Sequence, residues 1–158
     1  MSVGQSLSSD HQLARMLQIG IVLEEVVEAR ASKHAETTVT DSAVAEYMAE
    51  ASAESADHRA LLEGLIDDLD AEAVPFEEIE ALVEATYEAD DEFDDILYDQ
   101  LCNEETAYKF YDDLIEAIRA SDAQFSVNRE RLLRVLGEIR DEEAEGVQAV
   151  TRLMEGAT

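Results

Sequence analysis

Apolar residues recur three and four positions apart along almost the whole chain, the spacing of a helix with one buried stripe. Glycine occurs six times and proline once, and the alternation that would mark half-buried strands is missing. Such a chain can hide its stripes only by packing helix on helix. The pattern predicts long helices over 10–35, 41–69, 91–120 and 129–154, with Asp10 capping the first and Thr40 or Asp41 the second. "TVTDSA" and "SDAQFSVN" supply short connectors. The stretch 70–90 holds the only proline, in "AVPFEEIEALVEATYEAD", and reads as a short helix between loops. Short, long, short connections make each sequential pair antiparallel and send the middle link along the molecule. The expected fold is an all-α four-helix bundle with one long crossover, a single domain over 1–158.

Charge narrows the setting. Asp and Glu number 39 against 11 Lys and Arg, giving a formal charge of −28, and Lys33 and Lys109 are the only lysines. A surface this acidic stays hydrated and tolerates its own repulsion when salt is abundant, because the Debye length falls to about 3 Å at 1 M. A halophilic protein of a haloarchaeal cytoplasm is the expectation; the rival is an acidic interaction protein of an ordinary cell. Nucleic acid and anionic membrane are excluded as partners, since both need basic patches. Cys102 is the single cysteine, so there is neither an internal disulfide nor a Cys-x-x-Cys iron site. "MSVGQSLSSD" has no apolar run, and no stretch approaches the roughly 20 apolar residues of a membrane span.

The core-facing positions run Leu13, Leu17, Gly20, Glu24, Val27, Ala31, His34 in the first helix and Val44, Met48, Ala51, Ser55, His58, Leu62, Leu65, Leu69 in the second. The third gives Phe93, Leu97, Leu101, Glu104, Tyr108, Tyr111, Ile115, Ile118, and the fourth Leu132, Leu136, Ile139, Glu143, Gly146, Val150, Leu153. Each stripe breaks near its middle at a polar residue. A buried unpaired carboxylate costs several kcal/mol, so Glu24, His58, Glu104 and Glu143 facing one another need protons or a cation. Hard oxygens with one imidazole on rigid helices are ligand chemistry for iron or manganese. Against this, acids are common throughout, and a one-residue change of helix phase exchanges Glu24 with Glu25, Glu104 with Glu105, or Glu143 with Glu142. His34 reads as a surface cation at a helix end, His11 as exposed, Cys102 as a half-buried thiol, and Tyr108 and Tyr111 as core packing with a hydroxyl partner.

These segments bring a family into view. "EETAYKFYDDL" resembles the third helix of ferritin-like, rubrerythrin-related proteins, with Glu104, Ala107 and Tyr111 at the family's spacing. "EEVVEARASKHA" is similar to the first helix, with Glu24 in the ligand place and Ala31 where a tyrosine usually stands. "ESADHRALLEGLI" resembles the second, with His58 as the histidine and Ser55 in place of glutamate. "IRDEEAEGVQAV" resembles the fourth, with Glu143 as the glutamate and Gly146 where a second histidine belongs. The resemblance implies a ferritin-like bundle with a di-iron or di-manganese site that reacts with oxygen or peroxide. It leaves Glu24, His58, Glu104 and Glu143 of six expected ligands, with Glu54, Asp57, Glu142 and Glu145 beside the gaps. Two metals, one, or none are therefore open. The functions implied are a ferroxidase- or peroxidase-type oxidoreductase drawing electrons from a separate donor, or a metal-free dimerisation or interaction module. A homodimer is expected from the same resemblance.

Overall fold

The computed structural model describes residues 7–37, 42–71 and 96–156. They form four helices: α1 (Asp10–Thr37), α2 (Ser42–Asp67), α3 (Ile96–Ala120) and α4 (Arg129–Gly156). No described residue is in a strand, and none of the helices is long and apolar enough to cross a membrane. The described residues make an all-α four-helix bundle. The expected start of the third helix at residue 91, with Phe93, and the short helix in 70–90 lie outside the described residues, apart from Asp70 and Ala71.

α1 packs along α2 and α3 along α4, while α1 also meets α3 and α2 meets α4. The helices thus sit at the corners of a square, with α1 diagonal to α4. Cross-helix pairs run in opposite senses along each edge. Asp10 bonds Asp70 at one end of α1 and α2, and Arg59 meets Glu28 further along. Leu7 lies at Ser121, Glu24 at Tyr111 and His34 at Asp99, so α3 is antiparallel to α1. Asp10 and His34 stand about 36 Å apart along α1 at 1.5 Å per residue. Asp70 and Asp99 therefore lie at opposite ends of the bundle.

Local chemistry sets the helix ends. Ser9, not Asp10, caps α1: its hydroxyl accepts from the Gln12 amide at 3.3 Å, and its carbonyl accepts from Leu13 at 3.1 Å. Asp10 is already inside the first turn. Its carboxylate instead accepts from the amides of Asp70 and Ser126, each at 3.0 Å, tying three chain segments together. Burial pushes its pKa up slightly, and these bonds outweigh that and hold it below the ordinary value. α2 stops at Asp67, two residues before its expected end, in a tightened turn where Leu69 donates to the Ile66 carbonyl at 2.9 Å. Asn128 caps α4 through the Arg131 amide at 3.0 Å. The Arg129 guanidinium closes α3 by donating to the carbonyls of Ile118, Ser121 and Arg119 at 2.7, 3.1 and 3.3 Å.

The bundle is mostly hydrocarbon at one end. Leu13, Leu17, Ile21, Leu62, Leu65, Leu114, Ile115, Ile118 and Leu132 are fully buried there, each contributing about 1.5–3 kcal/mol on burial. Val27, Ala31, Val44, Met48, Ala51 and Val150 bury towards the other end. Between these apolar zones lies a polar layer, whose desolvation cost the hydrocarbon offsets.

The α3 stripe departs from expectation. Leu97 and Leu101 are only half-buried and Tyr108 is 38 % exposed, whereas Asp99, Gln100, Asn103, Ala107, Phe110 and Leu114 face inward. The buried face of α3 is thus rotated relative to the expected stripe, and much of it is polar. The same rotation exposes Cys102, expected to be half-buried. His34 is buried rather than a surface cation: its Nε2 lies 2.6 Å from Asp99 Oδ2, while Arg30 donates to Asp99 Oδ1 at 3.3 Å. His11 is exposed, as expected.

Candidate metal centre

Each helix delivers one residue to the polar layer: Glu24 from α1, His58 from α2, Glu104 from α3 and Glu143 from α4, all less than 5 % exposed. The alternatives Glu25, Glu105 and Glu142 are more exposed than Glu24, Glu104 and Glu143 respectively. Ligand atoms of Glu24, His58 and Glu143 lie within 4.8 Å of one another. His58 Nδ1 faces both acids, at 3.2 Å from Glu24 Oε1 and 3.3 Å from Glu143 Oε1. Glu104 is not part of that group, but it lies close enough to Glu143 and Glu24 for their charges to act on it.

Two tyrosines hold the outer carboxylates. Tyr111 donates to Glu24 Oε1 at 2.7 Å, and Tyr47 donates to Glu104 Oε1 at 2.6 Å. Gln100 adds a third donor to Glu104 Oε1 at 2.9 Å. In both acids the second oxygen, Oε2, is buried without a hydrogen-bond partner. An acceptor left bare in a dry core costs about 1–3 kcal/mol, and a cation or a proton removes that cost. Tyr111 has the hydroxyl partner expected of it; Tyr47 was not singled out. It sits one position off the α2 stripe, next to Met48, and no spacing rule flags that place.

The two vacant ligand positions have different fates. Ser55 is buried and contributes no carboxylate. At Gly146 the carboxyl of Glu104 occupies the room a side chain would need: a Cβ there would lie 1.7 Å from Glu104 Oε2 and 2.4 Å from its Cδ. The missing imidazole and the inward Glu104 exclude each other. Of the acids flanking the gaps, Asp57 and Glu145 point to solvent. Glu142 Oε2 reaches His58 Nε2 at 2.5 Å, with Glu54 Oε1 at 3.9 Å from the same nitrogen. Both ring nitrogens of a buried imidazole are thus faced by carboxylates.

Protons are shared accordingly. Burial alone would lower the His58 pKa, but Glu143, Glu24 and Glu142 reverse this and push it up to about 11. Burial raises Glu143 to about 8 despite the imidazolium, with Glu24 and Glu104 adding to the rise. Burial likewise lifts Glu54 to about 7, His58 opposing and Glu142 adding. Glu104 is raised by burial and by the Glu24 charge, against its hydrogen bonds. Tyr47 is raised by burial and by Glu104, so it stays a neutral donor. Without a cation, the layer balances its carboxylates with one imidazolium and shared protons.

Comparison of the chain with protein-family models, with curated proteins and with solved structures returns no match.

Proposed function

We propose that this chain is a ferritin-like metalloprotein that binds one divalent cation, iron or manganese, through Glu24, His58 and Glu143, with Glu104 as the neighbouring carboxylate. The observation that carries the reading is three buried ligand atoms from three helices within 4.8 Å, beside two carboxylate oxygens that have no partner. Two oxygens and a nitrogen suit iron or manganese. Ser55 and the filled space at Gly146 favour one metal over two.

Each residue then has a task. Tyr111 and Tyr47 fix the Oε1 atoms and leave Oε2 of Glu24 and Glu104 for a cation. Glu142 accepts the His58 Nε2 proton, which leaves Nδ1 as the ligand atom once it gives up its own proton. The hydrocarbon on either side keeps bulk water away. Ferrous iron, when bound, supplies the electron for reduction of oxygen or peroxide, the oxidoreductase chemistry the ferritin-like resemblance implies.

Anaerobic reconstitution with ferrous iron at high salt, followed by metal counting, tests the reading. Close to one iron per chain is expected, lost in Glu143→Gln. A second reading, a metal-free dimerisation or interaction module, draws on the imidazolium and the shared protons, which already balance the layer. It is the survivor if wild type and variant both stay free of metal.

A further inference from the structure

The three proposed ligands are sealed from solvent: Glu24 is 2 %, His58 1 % and Glu143 4 % exposed. A cation reaching them must cross protein, and a doubly charged ion does not cross hydrocarbon. On the far side of the His58 ring the contacts run from the buried layer out to exposed carboxylates. There His58 Nε2 meets Glu142, whose side chain is 50 % exposed, and lies 3.9 Å from Glu54, whose side chain is 43 % exposed. Ligand atoms of Glu54, His58 and Glu142 also lie within 4.8 Å of one another. One imidazole is thus shared by an inner acidic group on Nδ1 and an outer one on Nε2. Elsewhere the layer is bordered by Tyr111, by the Tyr47–Gln100–Glu104 bonds and by buried aliphatic side chains.

We propose that Glu54 and Glu142 form the entry port of the cation site, capturing a divalent cation at the surface and passing it to Glu143 and Glu24 as the His58 ring turns. This rests on the metal reading above. The port follows from the juxtaposition: α2 brings Glu54 one turn before His58, and α4 brings Glu142 beside the ligand Glu143. A partly exposed pair of carboxylates with low-dielectric walls concentrates cations at its mouth and raises their capture rate. Arg59, the cation next to His58 in sequence, is held by Glu28 at 2.7 Å and lies 4.0 Å from Glu25.

Stopped-flow uptake of cobalt(II) by the full chain, read by its visible absorption at fixed high salt, tests the port. Glu54→Gln, which leaves the Glu142 bond to the His58 ring in place, should lower the association rate by about tenfold, with one cobalt still bound at saturation. Removing a charge elsewhere, in Glu63→Gln on the exposed face of α2, should leave the rate unchanged. A role confined to holding the His58 ring would appear in the dissociation rate instead. An unaltered association rate in the port variant, or equal slowing in the Glu63 control, overturns the port while leaving the metal site. No cobalt uptake by wild type overturns both.

Discussion

Replacing Gly146 with alanine places a methyl group where the Glu104 carboxyl lies, 1.7 Å from Oε2 and 2.4 Å from Cδ. Neither backbone can yield inside packed helices, so the carboxyl must retreat by roughly 1.5–2 Å to reach van der Waals distance. Hydrogen bonds of 2.6 Å from Tyr47 and 2.9 Å from Gln100 do not survive that displacement. Two bonds to a buried acid at about 1–3 kcal/mol each, less about 1 kcal/mol gained in helix propensity, give a net loss of about 3 kcal/mol. In a chain of this size that lowers the melting temperature by about 6–12 °C. The assay is thermal and urea unfolding in concentrated salt, run as a double-mutant cycle with Glu104→Ala. Once the carboxyl is gone, the methyl no longer meets it and the same substitution should stabilise by about 1 kcal/mol. The sign must reverse between the two backgrounds. Equal cost in both, or stabilisation in the wild-type background, would refute the claim that Glu104 occupies the space over Gly146.

Metal-free protein should lose stability as pH rises. His58 keeps a proton up to about 11 that the unfolded chain releases near 6.5, so its contribution is complete below 6.5 and disappears towards 11. Glu143 and Glu54 add the same sign, being protonated in the fold up to about 8 and about 7 while ionised in the unfolded chain above 4.5. A melting temperature that is flat or rising from pH 5 to 10 contradicts this. Iron or manganese must displace these protons, so its apparent affinity, measured by competition with a chelator, should rise with pH over the same interval. Arg129→Ala strips three carbonyls at the end of α3 of their donor and should cost about 1–3 kcal/mol in urea unfolding. With a charge of −28, removing salt should lower the melting temperature steadily and restoring it should reverse the loss; insensitivity to salt would remove the case for a halophilic surface.

Helical periodicity alone was enough to place α1 and α4 almost to the residue and to mark the inward faces of α1, α2 and α4. Those stripes follow from spacing, which is local and readable. It also located Glu24, His58, Glu104 and Glu143 in the bundle interior, because a polar residue on an apolar stripe is conspicuous in one dimension. The α3 face was less legible: its inward residues include Asp99, Gln100 and Asn103, which no apolar stripe marks, and Tyr108 and Cys102 turn outward. His34 became buried for the same reason, since its partner Asp99 is 65 positions away. Proton placement belonged entirely to the tertiary structure. Whether an acid is bare, shared or held by a phenol depends on distances across helices, and only packing could bring Tyr47 to Glu104, Glu142 to His58, and a carboxyl into the space left by a glycine.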